Sequence, residues 1–222
     1  MIKAKEKPLA EIIDMVKDFQ KVLIAGFDGC VTVCEAGGFK EAKVLGSALR
    51  LFFTQEGKQA QIDELSLTRK CNKEYLEELK EKIDQYDAVV SVACGCGVQF
   101  LAEMYNNKII YHGVDTCFLG VTDDRGIYSE RCQACGRCIL AETGGICPIA
   151  RCSKRMLNGP CGGSEGGACE INKDIPCGWE LIFHRLKTLG QLERFEKPVA
   201  PKDWLSSRDG GPRKIVREEV QI

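Results

Sequence analysis

KVLIAGFDGCVTVCEAGG, residues 21–38, decides the fold. Its first seven residues form an unbroken apolar run that breaks off at Asp28 and Gly29. A strand covered by helices on both faces reads this way, because neither side meets water. Working outward, QIDELSL (61–67), DAVVSVA (87–93) and KIIYHGV (108–114) are three further strand candidates. Residues 39–55 between the first two carry Val44, Leu45, Ala48, Leu49, Phe52 and Phe53 at helical spacing. Asn72 is placed to cap the helix KEYLEELKEKIDQY (73–86), with Leu76, Leu79 and Ile83 on one face, and VQFLAEMY (98–105) reads as a short helix. This βαβαβαβ order predicts an α/β fold, a parallel sheet with flanking helices. The N-terminal MIKAKEKPLAEIIDMVKDF predicts an amphipathic helix with Pro8 near its first turn.

The composition excludes several function classes. The chain has 222 residues, with 31 basic and 32 acidic side chains and a formal net charge of −1. No basic face stands out, so nucleic-acid binding lacks its electrostatic footprint. No apolar stretch approaches the ~20 residues that cross a bilayer, and the N-terminus lacks a signal peptide's apolar core. The expected setting is a reducing cytoplasm, where clustered cysteines serve as ligands rather than disulfides.

The chain contains 14 cysteines. Six are spread through the first half: Cys30 and Cys34 follow the first strand candidate, Cys71 the second, Cys94 and Cys96 the third, and Cys117 the fourth. Each is expected just past a C-terminal strand end, the rim where open α/β sheets bind ligands. Cys71, alone, reads instead as a small buried hydrophobe. The other eight are Cys132, Cys135, Cys138, Cys147, Cys152, Cys161, Cys169 and Cys177. Cys132-x2-Cys135-x2-Cys138 places three thiolates on one tight loop facing one point, and Cys147-Pro148 follows nine positions after Cys138. That is a ferredoxin-like arrangement, in which soft anionic sulfur holds an iron–sulfur cluster. Residues 131–178 contain nine glycines and little periodicity, so metal rather than a hydrophobic core is expected to organise them.

The expected ligands are therefore Cys30, Cys34, Cys94, Cys96, Cys117, Cys132, Cys135, Cys138, Cys147, Cys152, Cys161, Cys169 and Cys177. They suffice for two or more clusters of the 4Fe-4S kind. A closed four-cysteine zinc site remains the alternative at one position. With only two histidines, no catalytic triad can be assembled; His112 reads as a buried, satisfied residue and His184 as a surface or packing residue. No phosphate loop of the GxxxxGK[ST] or GxGxxG kind occurs.

Three regions are expected: an α/β domain over 1–122, a cysteine-rich iron–sulfur domain with a terminal helix over 123–197, and an extended tail over 198–222. FLGVTDDRGIYSE (118–130) reads as a hairpin with Asp124-Arg125-Gly126 in its turn, and WELIFHRLKTLGQLERF (179–195) as the last helix. The tail reads as disordered or as an arm laid over a partner.

The segment GGICPIARCSKRMLNGPCGGSEGGACEINKDIPCGWELIFHRLKTLG (144–190) closely resembles the cysteine-rich C-terminal domain associated with methylenetetrahydrofolate reductases. CQACGRCILAETGG upstream extends the likeness to the small iron–sulfur subunit of the acetogen-type reductase, and GFDGCVTVCEAGG and ACGCG look like that subunit more loosely. The resemblance implies an electron-entry subunit in a complex that reduces 5,10-methylenetetrahydrofolate to 5-methyltetrahydrofolate. Electrons would come from a donor such as ferredoxin and leave to FMN or FAD on a partner catalytic subunit. In that family flavin and folate sit in a TIM barrel, which needs about 250 residues and eight βα units, so catalysis would lie on another chain. The alternative is a zinc-stabilised assembly subunit of the same reductase without a redox role. Thiol-based redox sensing is a third reading, disfavoured because ligand-like triplets exceed the paired thiols it requires.

Overall fold

The computed structural model describes residues 1–124, 126–217 and 219, and the chain divides into two compact units, Met1–Tyr128 and Ser129–Ile222. In the first unit the chain runs β1 (Ile2–Glu6), α1 (Leu9–Val16), β2 (Lys21–Phe27), α2 (Cys30–Val33), α3 (Phe39–Gln55) and β3 (Gln61–Leu67). It continues through α4 (Lys73–Glu77), β4 (Ala88–Ser91), α5 (Gly95–Met104), β5 (Ile109–His112) and β6 (Val114–Asp124). Strand β7 (Ile127–Cys132) then leads into the second unit. The four strands anticipated from the sequence form one parallel sheet of order β3-β2-β4-β5. Six of the seven β2 residues are buried, as its continuous apolar run requires. Because the chain steps from β2 to β3 on one side and to β4 on the other, the switch point lies between β2 and β4.

The helices follow the apolar pattern in part. In α3 the buried stripe is Ala42, Gly46, Leu49 and Phe53, whereas Val44 is 64% exposed. Asn72 caps α4 as expected, its Oδ1 accepting from Glu74 N at 3.2 Å. That helix ends at Glu77, well short of the expected residue 86, and i→i+3 bonds from Leu79 to Leu76 and from Lys80 to Glu77 take over. Such tighter winding aligns side chains three apart, so Leu76 and Leu79 still share the buried face, joined by Ile83.

The N-terminus departs from expectation. Ile2–Glu6 is a strand, antiparallel to β6 with Ile2 opposite Leu119 and Glu6 opposite Val114, and the helix begins only at Leu9. Pro8 explains the boundary: it lacks an N–H and pushes Lys7 toward extended backbone. KIIYHGV likewise divides at Gly113, with β5 in the parallel sheet and β6 in the three-stranded sheet β1-β6-β7. The hairpin strands β6 and β7 form as anticipated; Arg125, placed in its turn, lies outside the described residues.

The second unit has little regular structure: α6 (Pro148–Arg151), α7 (Gly178–Thr188) and single 3₁₀ turns at Leu192–Arg194, Trp204–Ser206 and Arg208–Gly210. Its apolar core is small. Cys177, Trp179, Ile182 and Leu186 are buried, with Ile146, Cys152, Met156 and Phe195 against them. Trp179 donates its ring N–H to Met156 O at 2.9 Å and meets Phe195 edge-on at 5.6 Å. Among the described residues, no helix is long and apolar enough to cross a membrane.

At the switch point two backbones touch. Gly37 O accepts from Phe27 N at 2.9 Å, and a Cβ on Gly37 would lie 1.9 Å from Val92 O. Backbone cannot yield as a side-chain tip can, so Gly37→Ala is expected to destabilise the first unit by more than about 3 kcal/mol. Thermal unfolding followed by circular dichroism checks this; an unchanged melting temperature would refute the close approach.

Candidate functional site

The first unit carries six cysteines in three different settings. Lys70, just past β3, is fully buried, with its Nζ donating to Ala25 O and, at 3.2 Å, to Ser91 Oγ. The amine thus bridges β2 and β4 at the switch point. Burial pushes it down to about 7, against the opposing pull of Asp28 and Cys94. Gly97 in the first turn of α5 admits this segment, since a Cβ there would lie 3.0 Å from Lys70 Cβ. Cys94 is the N-cap of α5, Cys96 lies in its first turn, and Cys71 follows Lys70. The Cys96 thiol is held above its ordinary range by burial first, then by Cys94 through charge and a hydrogen bond, and by Cys71. Cys71, Cys94 and Cys96 therefore share one neighbourhood.

Cys71 is exposed, which overturns its reading as a small buried hydrophobe. Its lone position in the sequence hid its neighbours, which arrive from a different strand. Cys34 presents the opposite case. It is 3% exposed, its Sγ accepts from Ala4 N at 3.5 Å, and its thiol donates to Val31 O at 3.4 Å. The thiol thus ties β1 to the end of α2. Cys30 is half-buried and packs against the same core. Cys117 is exposed and lies inside β6 rather than past a strand end, because KIIYHGV divides at Gly113. Its neighbour Thr116 accepts Gly95 N at 2.8 Å, so β6 passes the N-terminus of α5.

In the second unit Cys132 ends β7, and Cys135 and Cys138 follow it on a loop where Ala134 and Gly136 take left-handed backbone, φ 50° and 87°. Ala134 N donates to Cys132 Sγ at 3.3 Å. Cys147 caps the start of α6, with Pro148 at its first position, and Cys152 caps its end. Cys177 caps α7. The end of α6 meets the start of α7 closely: a Cβ on Gly178 would lie 2.6 Å from Arg151 O. Cys152 and Cys177 accordingly belong to one buried cluster.

Cys169 and Cys161 come to the same junction. Cys169 Sγ lies 3.4 Å from Ser153 Oγ, and that hydrogen bond, with backbone N–H groups, holds the thiol below its usual range. Cys161 donates to Glu170 Oε2 at 3.2 Å, and Lys154 pairs with the same carboxylate at 2.5 Å. Cys177 N reaches Gly167 O at 2.7 Å, and Cys169 N reaches Ile175 O at 2.9 Å. Cys152, Cys161, Cys169 and Cys177 thus come near the meeting of two short helices. Among the described residues, no three Cys, His, Asp or Glu side chains are placed as ligands of one ion. The donor set itself, rich in soft sulfur, suits iron–sulfur or zinc chemistry.

The histidines take no part in either group. His112 is exposed rather than buried, with Nε2 3.8 Å from Asp115 Oδ1, because β5 is the outer strand of its sheet. His184 lies at the surface, one turn from Glu180.

Residues 111–205 match a protein family described as "Methylene-tetrahydrofolate reductase C terminal". The match takes in every cysteine of the second unit, together with β6 and α7. No curated protein and no solved structure matches the chain.

The contrast between two rim cysteines is testable in reduced, metal-free protein. Cys34→Ala is expected to lower stability by about 1–3 kcal/mol, by opening a cavity and leaving Ala4 N unsatisfied. Cys71→Ala is expected to stay within about 0.5 kcal/mol of the parent. Urea midpoints decide; equal losses would show that Cys34 is not a structural thiol.

Proposed function

We propose, from the match of residues 111–205 to the methylene-tetrahydrofolate reductase C-terminal family, that the chain is the iron–sulfur electron-transfer subunit of such a reductase. It takes electrons from a donor such as ferredoxin and passes them to the flavin of a partner catalytic subunit. That partner reduces 5,10-methylenetetrahydrofolate to 5-methyltetrahydrofolate, a two-electron step that a one-electron carrier serves twice. The observation that carries the reading is the convergence of Cys152, Cys161, Cys169 and Cys177 on the α6–α7 junction, with the Cys132-Cys135-Cys138 loop in the same unit. A cluster bound there supplies reversible one-electron transfer at soft sulfur.

The chain's own residues would do three things for such a cluster. Thiolates of the triplet and of Cys147 would hold iron, as the ferredoxin-like spacing suggests. Backbone N–H groups and the Ser153 hydroxyl would donate to sulfur and favour its anionic form, as they do at Cys169. Lys154, beside Cys161 and Glu170, would offset the added negative charge. Cys94 and Cys96 at the sheet rim, together with Cys30 and Cys117, are the proposed ligands of a further centre. The parallel sheet has four strands rather than eight, so the folate and flavin site is assigned to the partner. A reducing cytoplasm, where thiols stay free to ligate, is the proposed location.

One observation favours a second reading. The small apolar core of the second unit is what a zinc-stapled domain shows, and that reading makes the chain a redox-inert assembly subunit of the same reductase. Anaerobic purification separates the two. The first reading expects brown protein whose visible absorbance bleaches with dithionite, and a Cys135→Ala variant that loses one cluster's iron while the first unit stays folded. Colourless protein carrying stoichiometric zinc would overturn it in favour of the second.

A further inference from the structure

The chain beyond the last helix lies over the cysteine triplet of its own unit. Its start is pinned at Val199, whose N donates to Asn158 Oδ1 at 2.6 Å while Asn158 Nδ2 donates to Val199 O at 3.0 Å. Lys202 Nζ then donates to Arg137 O at 2.9 Å and Ser206 Oγ to Cys135 O at 3.1 Å. Arg213 donates to Ala134 O at 2.6 Å and to Ser206 O at 3.1 Å. Three carbonyls of the triplet loop, those of Ala134, Cys135 and Arg137, are thus taken up by one arm.

The fit between arm and loop is close. Gly136 sits under Ser206, and a Cβ there would lie 2.4 Å from Ser206 O, at a backbone φ of 87° that already favours glycine. The arm is shaped before it arrives: Asp203 Oδ1 accepts Leu205 N at 2.9 Å, and Ser207 Oγ accepts Asp209 N at 3.1 Å. Ser207 is buried. A loop without a helix or ladder must find partners for its carbonyls elsewhere. Here side chains from about seventy residues downstream reach them, Cys135 O also taking Arg137 N at 3.2 Å, and two of those side chains, Lys202 and Arg213, are cationic.

We propose that Ser206 and Arg213 are positioning residues for the Cys132-Cys135-Cys138 loop, holding its backbone so that the three thiols present themselves together to a soft metal. This rests on the reading of the triplet as a ligand loop. Fixing the loop beforehand spares the ordering cost at binding and slows loss of the metal. The cations of the arm also lie beside a loop that carries thiolate charge when loaded.

The full-length chain is compared with Arg213→Ala, Arg213→Lys and a Ser206→Ala/Arg213→Ala double variant. Arg208→Ala is the control, on the same arm but outside the set of donors to these carbonyls. One readout is the rate at which a chelator strips metal from anaerobically isolated protein. The other is the rate at which iodoacetamide labels Cys135 in reduced, metal-free protein, by mass spectrometry, with Cys161 as internal reference. Loss of the charged hydrogen bonds is expected to speed both about tenfold in Arg213→Ala. Arg213→Lys recovers part of the effect, and Arg208→Ala changes neither rate. Wild-type rates in the double variant would overturn the assignment, as would a rise shared equally by Cys161, which marks general loosening. Wild-type protein that holds no metal would sink the ligand reading, and the labelling rates would still decide whether the arm fixes the loop.

Discussion

The parallel pairing of β2 with both β3 and β4 is the constraint from which the first unit follows. A strand with neighbours on both edges and helices on both faces must be apolar throughout, and it leaves a gap beyond its C-terminal end where the chain departs to opposite sides. Gly37 closes against Val92 in that gap, and Lys70 threads its amine to Ala25 O and Ser91 Oγ. A buried lysine is costly, and its amine is pushed down accordingly. It persists where the Ala25 carbonyl and the Ser91 hydroxyl give it partners. Cys71, Cys94 and Cys96 gather beside it because the same gap brings the ends of β3 and β4 together.

A cysteine's surroundings separate thiols that the sequence presents as equals. Cys30 and Cys34 lie on one short helical segment, four residues apart, yet Cys34 has turned inward, accepting from Ala4 N of β1 and donating to Val31 O of its own helix. Such a thiol is spent on the fold. Cys161 is exposed and Cys169 half-buried in a unit with little core of its own, and they bond to the side chains of Glu170 and Ser153. Buried thiols and accessible thiols therefore do different work on one chain.

The second unit replaces regular structure with specific contacts. Its helices are capped by cysteines at Cys147, Cys152 and Cys177, so the short elements themselves set where the sulfur goes. Glycines permit the close approach of Gly178 to Arg151 O and of Gly136 to Ser206 O. With so small an apolar core, the order of this unit rests on hydrogen bonds that reach across long stretches of chain, the C-terminal arm among them. An arm read as an extended tail thus has a role within its own unit.

Sequence alone determined the parallel sheet, the Asn72 cap, the hairpin strands and the crowding of sulfur in residues 132–177. Each of these is written locally, as an apolar run, a capping residue or a spacing. It misplaced the N-terminal strand, because IKAKE is amphipathic under either period and only pairing with β6, more than a hundred residues away, makes it extended. It overran the helix after Asn72, because the i→i+3 winding buries the same leucines. It read the exposed Cys71 as a buried hydrophobe, since burial is a property of what packs against a residue rather than of the residue. Tertiary structure alone decided which thiols meet, which are spent on packing, and which carbonyls the arm takes, because each depends on segments distant in the chain being brought to one place.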